Sequence, residues 1–325
     1  AAACSDPESP DDADAGSDAD ASGNGGACLS PWRPSLDGSD RGAFMSVWGT
    51  AADAVYVVGG QPLSVAAERN GVALRYDGSA WSDVPLAQGG MLNWVHGAGS
   101  RAWFVGEAGR VVTLDSGAVV SDNSAGTDAP LWGAWAVGGD PLRSDATPVI
   151  VRWDGTTWTQ VEVPVLDRPA RALFKVWGAG PGEVWAVGMQ GVILRYDGTS
   201  WTQVPSGTGD DLVSLWGRAA DDIVAVGGRS GGTLGRWNGT AWTFERLPRT
   251  SGLNGSWMGP DGVAHAVGVG GRALVIESGF AFTSTTTPTS RVLHAMWALP
   301  GGPCFAVGGS LLSSPPYVGD IVISD

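Results

Sequence analysis

Seventeen tryptophans, a recurring arginine, three histidines and three cysteines carry most of the chemistry available to this 325-residue chain. Arg75, Arg152, Arg195 and Arg236 each precede an aromatic residue: Tyr76, Trp153, Tyr196 or Trp237. A guanidinium in that setting forks onto a carboxylate or stacks on a ring, and it also holds carboxylates and sugar hydroxyls. Because the arginine recurs at a fixed place, the expected role is scaffolding, with Asp53, Glu183 or Asp222 as the paired acid. The tryptophans offer the same choice. Trp103, Trp135 and Trp185, and Trp153 and Trp237, are spaced to pack neighbouring units together, and the alternative is sugar stacking in the grooves between units. His96, His265 and His294 are scattered where a metal would need convergent ligands, so no metal and no cofactor is expected. No nucleophile elbow, Cys/His pair or phosphate loop is present, and no catalytic residue is assigned.

The elements that position these residues repeat about every 40 residues, the period of propeller blades. The clearest copy runs Leu173-Phe-Lys-Val-Trp-Gly178, Val184-Trp-Ala-Val-Gly188, Gly191 to Tyr196, then Trp201-Thr-Gln-Val204. Each piece is a short β-branched or aromatic run bounded by Gly, Pro or Asp, so the unit reads as a four-stranded meander, strands A to D. Asp77-Gly78, Asp154-Gly155, Asp197-Gly198 and Asn238-Gly239 mark tight C-to-D turns. Further copies begin at Phe44, Leu92, Leu131, Leu212, Leu253 and Val292, giving an all-β, seven-bladed β-propeller of four-stranded blades. Leu131-Trp-Gly-Ala-Trp-Ala-Val-Gly138 fuses strands A and B without a turn, so the third blade is expected to be three-stranded or rearranged.

The final stretch, Gly319 to Asp325, reads as a strand C with no strand D after it. Trp32 supplies the missing strand, because its spacing to Trp48 matches that of Trp201 to Trp216. The N-terminal strand therefore completes the last blade and removes two open sheet edges. Cys304 opens strand B of that blade and Cys28 precedes its strand D, which predicts a Cys28–Cys304 disulfide across the seam.

Composition supports an all-β ring: 51 glycines and only 19 lysines plus arginines. Residues 1–27 hold seven acids and no base, half of the net charge of -14, and read as a disordered acidic tether; residues 28–325 form the propeller. With nothing basic clustered, nucleic acid is disfavoured as a partner. Ala1-Ala2-Ala3-Cys4 resembles the end of a bacterial lipoprotein signal, with Cys4 the lipidated residue. That implies a mature chain from an exported precursor, extracytoplasmic as an outer-membrane lipoprotein, at the cell surface or secreted. No run approaches the ~20 apolar residues of a membrane helix, so membrane contact is expected only through the lipid anchor.

Trp-Gly, then Val-Trp-Ala-Val-Gly, then Gly-x-Ile-Leu-x-Tyr-Asp-Gly-x-x-Trp resembles the Asp-box (BNR-like) propeller repeats, over about residues 32 to 325. The similarity extends to photosystem II assembly factor-like propellers and to Trp/Gly-rich surface lipoproteins of Gram-negative bacteria. Tyr196-Asp-Gly-Thr-Ser-Trp201 departs from the full motif, since glycine directly follows Asp197. In that family the motif lies at a turn away from the active centre, so the resemblance implies a fold and not a catalytic site.

Loop lengths point to a ligand site. The B-to-C connections are long in blades 1, 3 and 7, which places candidate binding residues Gln61, Glu68, Arg69, Asp140, Arg143, Asp145 and Tyr317 on one rim. The sequence thus reads as a non-enzymatic binding module at the bacterial cell envelope, with a polysaccharide or an envelope protein as partner. A carbohydrate-active enzyme, hydrolase or lyase, and a structural subunit of an envelope assembly are the alternatives. The enzyme would need a pair of rim acids.

Overall fold

A computed structural model describes residues 28, 31–65, 70–133, 137–138, 147–153, 157–277, 279–311 and 314–324. Its 28 strands form seven antiparallel four-stranded sheets. Strand β1 (Trp32–Ser39) comes first in the chain but joins the last sheet. The first sheet takes β2 (Ala43–Ala51), β3 (Ala54–Gly60), β4 (Gly71–Tyr76) and β5 (Trp81–Asp83). The second takes β6 (Leu92–Ala98), β7 (Arg101–Gly106), β8 (Arg110–Asp115) and β9 (Ala118–Ser124), and the third β10 (Leu131–Gly133), β11 (Val137–Gly138), β12 (Val149–Trp153) and β13 (Trp158–Val161). In the fourth are β14 (Leu173–Gly180), β15 (Glu183–Gly188), β16 (Ile193–Tyr196) and β17 (Trp201–Gln203); in the fifth, β18 (Leu212–Ala219), β19 (Asp222–Gly227), β20 (Thr233–Trp237) and β21 (Trp242–Arg246). The sixth holds β22 (Leu253–Met258), β23 (Ala264–Gly268), β24 (Arg272–Ile276) and β25 (Phe282–Thr286), and the seventh β26 (Leu293–Ala298), β27 (Cys304–Gly309) and β28 (Gly319–Ser324) with β1.

The leading strands of successive sheets touch one another in chain order, and β26 touches β2, so the sheets stand in a closed ring around an axis. This is the arrangement of a β-propeller. The expectation of a seven-bladed propeller is corrected to six complete blades, because the third sheet, expected to be three-stranded or rearranged, keeps four strands but is reduced. There β10 has three residues and β11 two, against six to nine and five to seven for their counterparts. The cause is the fused segment Leu131 to Gly138: eight residues cannot supply two full strands and a turn between them.

The ring closes through β1, which pairs antiparallel with β28 from Trp32 opposite Ser324 to Ser39 opposite Gly319. Cys28 and Cys304 are disulfide-bonded, with their α-carbons 5.6 Å apart, at the start of this seam. Residues 1–27, including Cys4, lie outside the described residues.

Every leading strand carries a register shift at the same place, between Phe44 and Ser46 in β2, Leu173 and Lys175 in β14, and their equivalents elsewhere. A bulge there adds local twist and redirects the side chains that follow it. Two residues further on, β2, β14 and β18 carry a Trp-Gly dipeptide, whose glycine the packing explains. A Cβ on Gly97 would stand 2.4 Å from the Trp48 ring, one on Gly217 2.7 Å from Trp177, and one on Gly49 3.1 Å from Trp297. Each indole lies on the glycine of the next sheet. Trp216 faces Met258 at the equivalent position, and its ring instead meets His96 across the axis, 5.9 Å centroid to centroid and nearly parallel. His96 also stacks on Trp48 at 5.6 Å, so one level of the axis is filled by rings.

Candidate functional site

The outer halves of neighbouring sheets meet through aromatic side chains. Trp185 of β15 is fully buried against Trp237 and Trp242 of the fifth sheet, at 4.8 and 5.8 Å between centroids. Phe305 of β27 meets Tyr76 and Trp81 of the first sheet in the same way. The corresponding trio between the second and third sheets is Trp103, Trp153 and Trp158. Trp153 and Trp158 are only half-buried and rest on each other at 5.5 Å, without a ring contact to Trp103. A groove of about 980 Å³ separates the two sheets there. The reduced third sheet gives the second no full face to pack on, and β9, with seven residues, projects further than the outer strands of sheets three to six.

Strand register gathers the polar residues of this groove on one face. Arg101 pairs with Asp115, Trp103 with Thr113, Thr113 with Ser121, and Val111 with Asn123, so alternate residues of β7, β8 and β9 line one wall. Trp153, Thr157 and Trp158 form the opposite wall. Asp115 accepts a hydrogen bond from the Ser100 hydroxyl at 2.9 Å and one from Ser116 at 3.1 Å, and Arg101 Nε lies 3.5 Å from it. Those hydroxyl bonds hold its carboxyl below the usual carboxylate range, so it stays charged and accepts hydrogen bonds. The volume falls in the range of small-molecule sites. Indole faces beside an anchored Asp/Arg pair, hydroxyls and an amide suit a ligand with one apolar C–H face and many hydroxyls.

No protein-family model matches the chain, and no curated protein matches it either. Solved structures do. The WD40 β-propeller domain of Doa1 is similar with a TM-score of 0.61 at 14% identity, over 90% of this chain and 96% of that one. YCF48 from Cyanidioschyzon merolae gives 0.61 at 15% identity over 89% and 98%, and the WD40 repeats of RRP9 give 0.64 at 9% over 90% and 97%. The likeness is one of fold. It is a likeness to WD40 and YCF48 propellers, so the expected seven-bladed Asp-box (BNR-like) family is withdrawn. The motif at Tyr196 to Trp201 has a local explanation: the Asp197 side chain accepts from Thr199 N and Ser200 N at 2.8 and 2.9 Å, while Gly198 takes a φ of +95°. Asp77 and Asn238 build the same turn.

Of the seven candidates drawn from loop length, the structure brings Gln61 and Tyr317 together. The Gln61 amide donates to Tyr317 O at 2.7 Å and accepts from Tyr317 N at 2.9 Å. Gln61 is buried, so it staples the first-sheet loop to the seventh-sheet loop across the seam. Glu68, Arg69, Asp140, Arg143 and Asp145 lie outside the described residues. The propeller's recurrent arginines serve its turns. Arg195 forks onto Glu183 at 2.9 and 2.6 Å, and Glu183 also accepts from Trp185 Nε1 at 2.6 Å. Arg75 reaches the Asp53 carbonyl instead of its carboxylate, Arg152 the Tyr196 hydroxyl, and Arg236 the carbonyls of Glu277 and Gly279 in the next sheet. Asp222 pairs with Arg218.

The histidines are held by packing. Burial lowers His96 to about 3 and His265 and His294 to about 4. Among the described residues no three His, Cys, Asp or Glu side chains converge as a metal site would require. No described helix is long and apolar enough to cross a membrane. The groove residues Arg101, Thr113, Asp115, Ser121, Asn123 and Trp158 were not singled out by sequence reasoning. Two signals mark them: the irregular turn Asp115-Ser-Gly117 and the fused strands of the third repeat, which together disturb one seam of the ring.

Proposed function

We propose that this propeller is a binding module of the bacterial cell envelope, with no catalytic role, that takes a polysaccharide chain in the groove between its second and third sheets. The observation that carries this reading is the half-buried Trp153/Trp158 pair, which lines a groove beside buried Trp103, whereas its counterpart Trp237 and Trp242 is packed shut on Trp185. Half-exposed indoles stack on the C–H face of a pyranose, and Arg101 beside Asp115 presents a donor and an acceptor to its hydroxyls. Export is supported by the Cys28–Cys304 bond, since structural disulfides persist in oxidising compartments. Lipidation of Cys4 would tether the module to a membrane. Asp115 is held charged, which suits a hydrogen-bond acceptor better than a general acid.

The test is a glycan array of bacterial and plant polysaccharides, followed by calorimetric titration of the best oligosaccharide into the native chain and a W153A/W158A double variant. Loss of stacking is expected to weaken binding at least ~100-fold while the unfolding temperature of the ring changes little. An oligosaccharide that binds both chains equally would refute the groove. A pull-down from envelope extract that recovers a protein, with no glycan bound, would replace the ligand class.

A further inference from the structure

Lys175 is the one polar group of the inner ring whose charge has no counterpart among the described residues. It lies on β14 directly after the bulge, 6% exposed, with Nζ 3.1 Å above the centroid of the Trp94 ring from the second sheet. Residues two sheets apart in the ring can meet in this way only near the axis. Lys175 shares its register with Ser46 and Trp94, each paired with the equivalent valine of the neighbouring strand: Val187, Val58 and Val105. Ser46 Oγ and Trp94 Nε1 are buried and have no hydrogen-bond partner among the described residues. At the same level the fifth sheet offers Ser214, whose hydroxyl is engaged with Ser256, while the sixth and seventh carry Gly255 and Ala295.

This level therefore holds three unmatched donors: an ammonium, a hydroxyl and an indole N–H. The ring stack of Trp48, His96 and Trp216 lies two residues further along the strands. The titratable neighbour that couples to Lys175 is His96, which burial keeps neutral, so no negative charge is supplied by it. A buried ammonium without an acceptor is strongly disfavoured, and a ring face satisfies only one side of it. Burial accordingly pushes the Lys175 amine well below its ordinary range. An entering anion would restore the charge and engage all three donors at once.

The geometry points to a small-anion site on the propeller axis, in which Lys175, Ser46 and Trp94 hold a halide or a carboxylate group. This site is independent of the groove and of its ligand. It is tested on the full chain at constant ionic strength, with sodium chloride, formate and acetate titrated separately. Indole fluorescence and unfolding temperature are read together. A saturable response to chloride alone marks a halide site, and a response to formate or acetate marks a carboxylate site; either supports the assignment. K175M, close to lysine in shape, is expected to remove the response, and S46A to weaken the affinity at least about threefold while leaving the ring folded. Absence of any saturable response in the native chain, or an unchanged response in both variants, overturns it.

Discussion

Cutting the Cys28–Cys304 bond tests how much the seam contributes to the whole ring. The two cysteines are 276 residues apart, so the bond closes nearly the full propeller into one covalent loop. In the chain-entropy treatment a loop of that length restricts the unfolded chain by about 19 cal/mol/K, or about 5.6 kcal/mol at 25 °C. Unfolding entropy of about 2.1 cal/mol/K per residue over the roughly 300 residues of the ring converts this to a fall of about 9 °C in Tm. A C28A/C304A variant, followed by calorimetry beside the native chain with and without reductant, is expected to show that fall. The native ring should survive, because β1 stays hydrogen-bonded to β28. Reductant should move the native chain to the variant's value and leave the variant unchanged. An equal Tm for all samples would refute the reasoning, since it would mean that closing this loop does not restrict the unfolded chain or that the seam is not crosslinked.

Stability should also fall in mild acid. His96, His265 and His294 stay neutral in the fold well below the ordinary histidine value of 6.5, whereas the unfolded chain takes up protons through that value. Below pH 6.5 the unfolded state therefore binds more protons, and each histidine removes about 1.4 kcal/mol of stability per pH unit until its own folded value is reached. For His265, 4% exposed, that amounts to about 2 kcal/mol by pH 5, and H265Q should flatten the Tm-against-pH profile between 6.5 and 4. Gly97→Ala would place a Cβ 2.4 Å from the Trp48 ring and should cost about 1–3 kcal/mol in chemical denaturation, while Gly99→Ala, with open space around it, should lack that steric clash.

The repeat, its strand order and its closure were legible in the sequence, because each depends on local runs and on spacing along the chain. Trp32 was assigned to the last sheet from its distance to Trp48, and the Cys28–Cys304 pair followed from that assignment. Blade count was less legible. Seven copies of the motif imply seven blades, the third of them irregular, but whether a copy forms a complete blade depends on the residues available for its turn, and Leu131 to Gly138 are too few. Ring closure set the Gln61 and Tyr317 segments side by side, yet it did not reveal that the Gln61 amide would be spent on the Tyr317 backbone.

What the sequence determined by itself is a ring with its own ends as the seam, since periodicity and turn chemistry act over a few residues. Tertiary structure alone decided which tryptophans are walls and which are core. Trp158 and Trp242 occupy the same place in their repeats, yet Trp242 is buried on Trp185 while Trp158 is half-buried and lines the groove. The same is true of Lys175, an unremarkable member of a repeat until strands two sheets away bring Trp94 beneath its ammonium. Contacts across a closed ring are set by geometry among distant segments, and no window of the chain contains them.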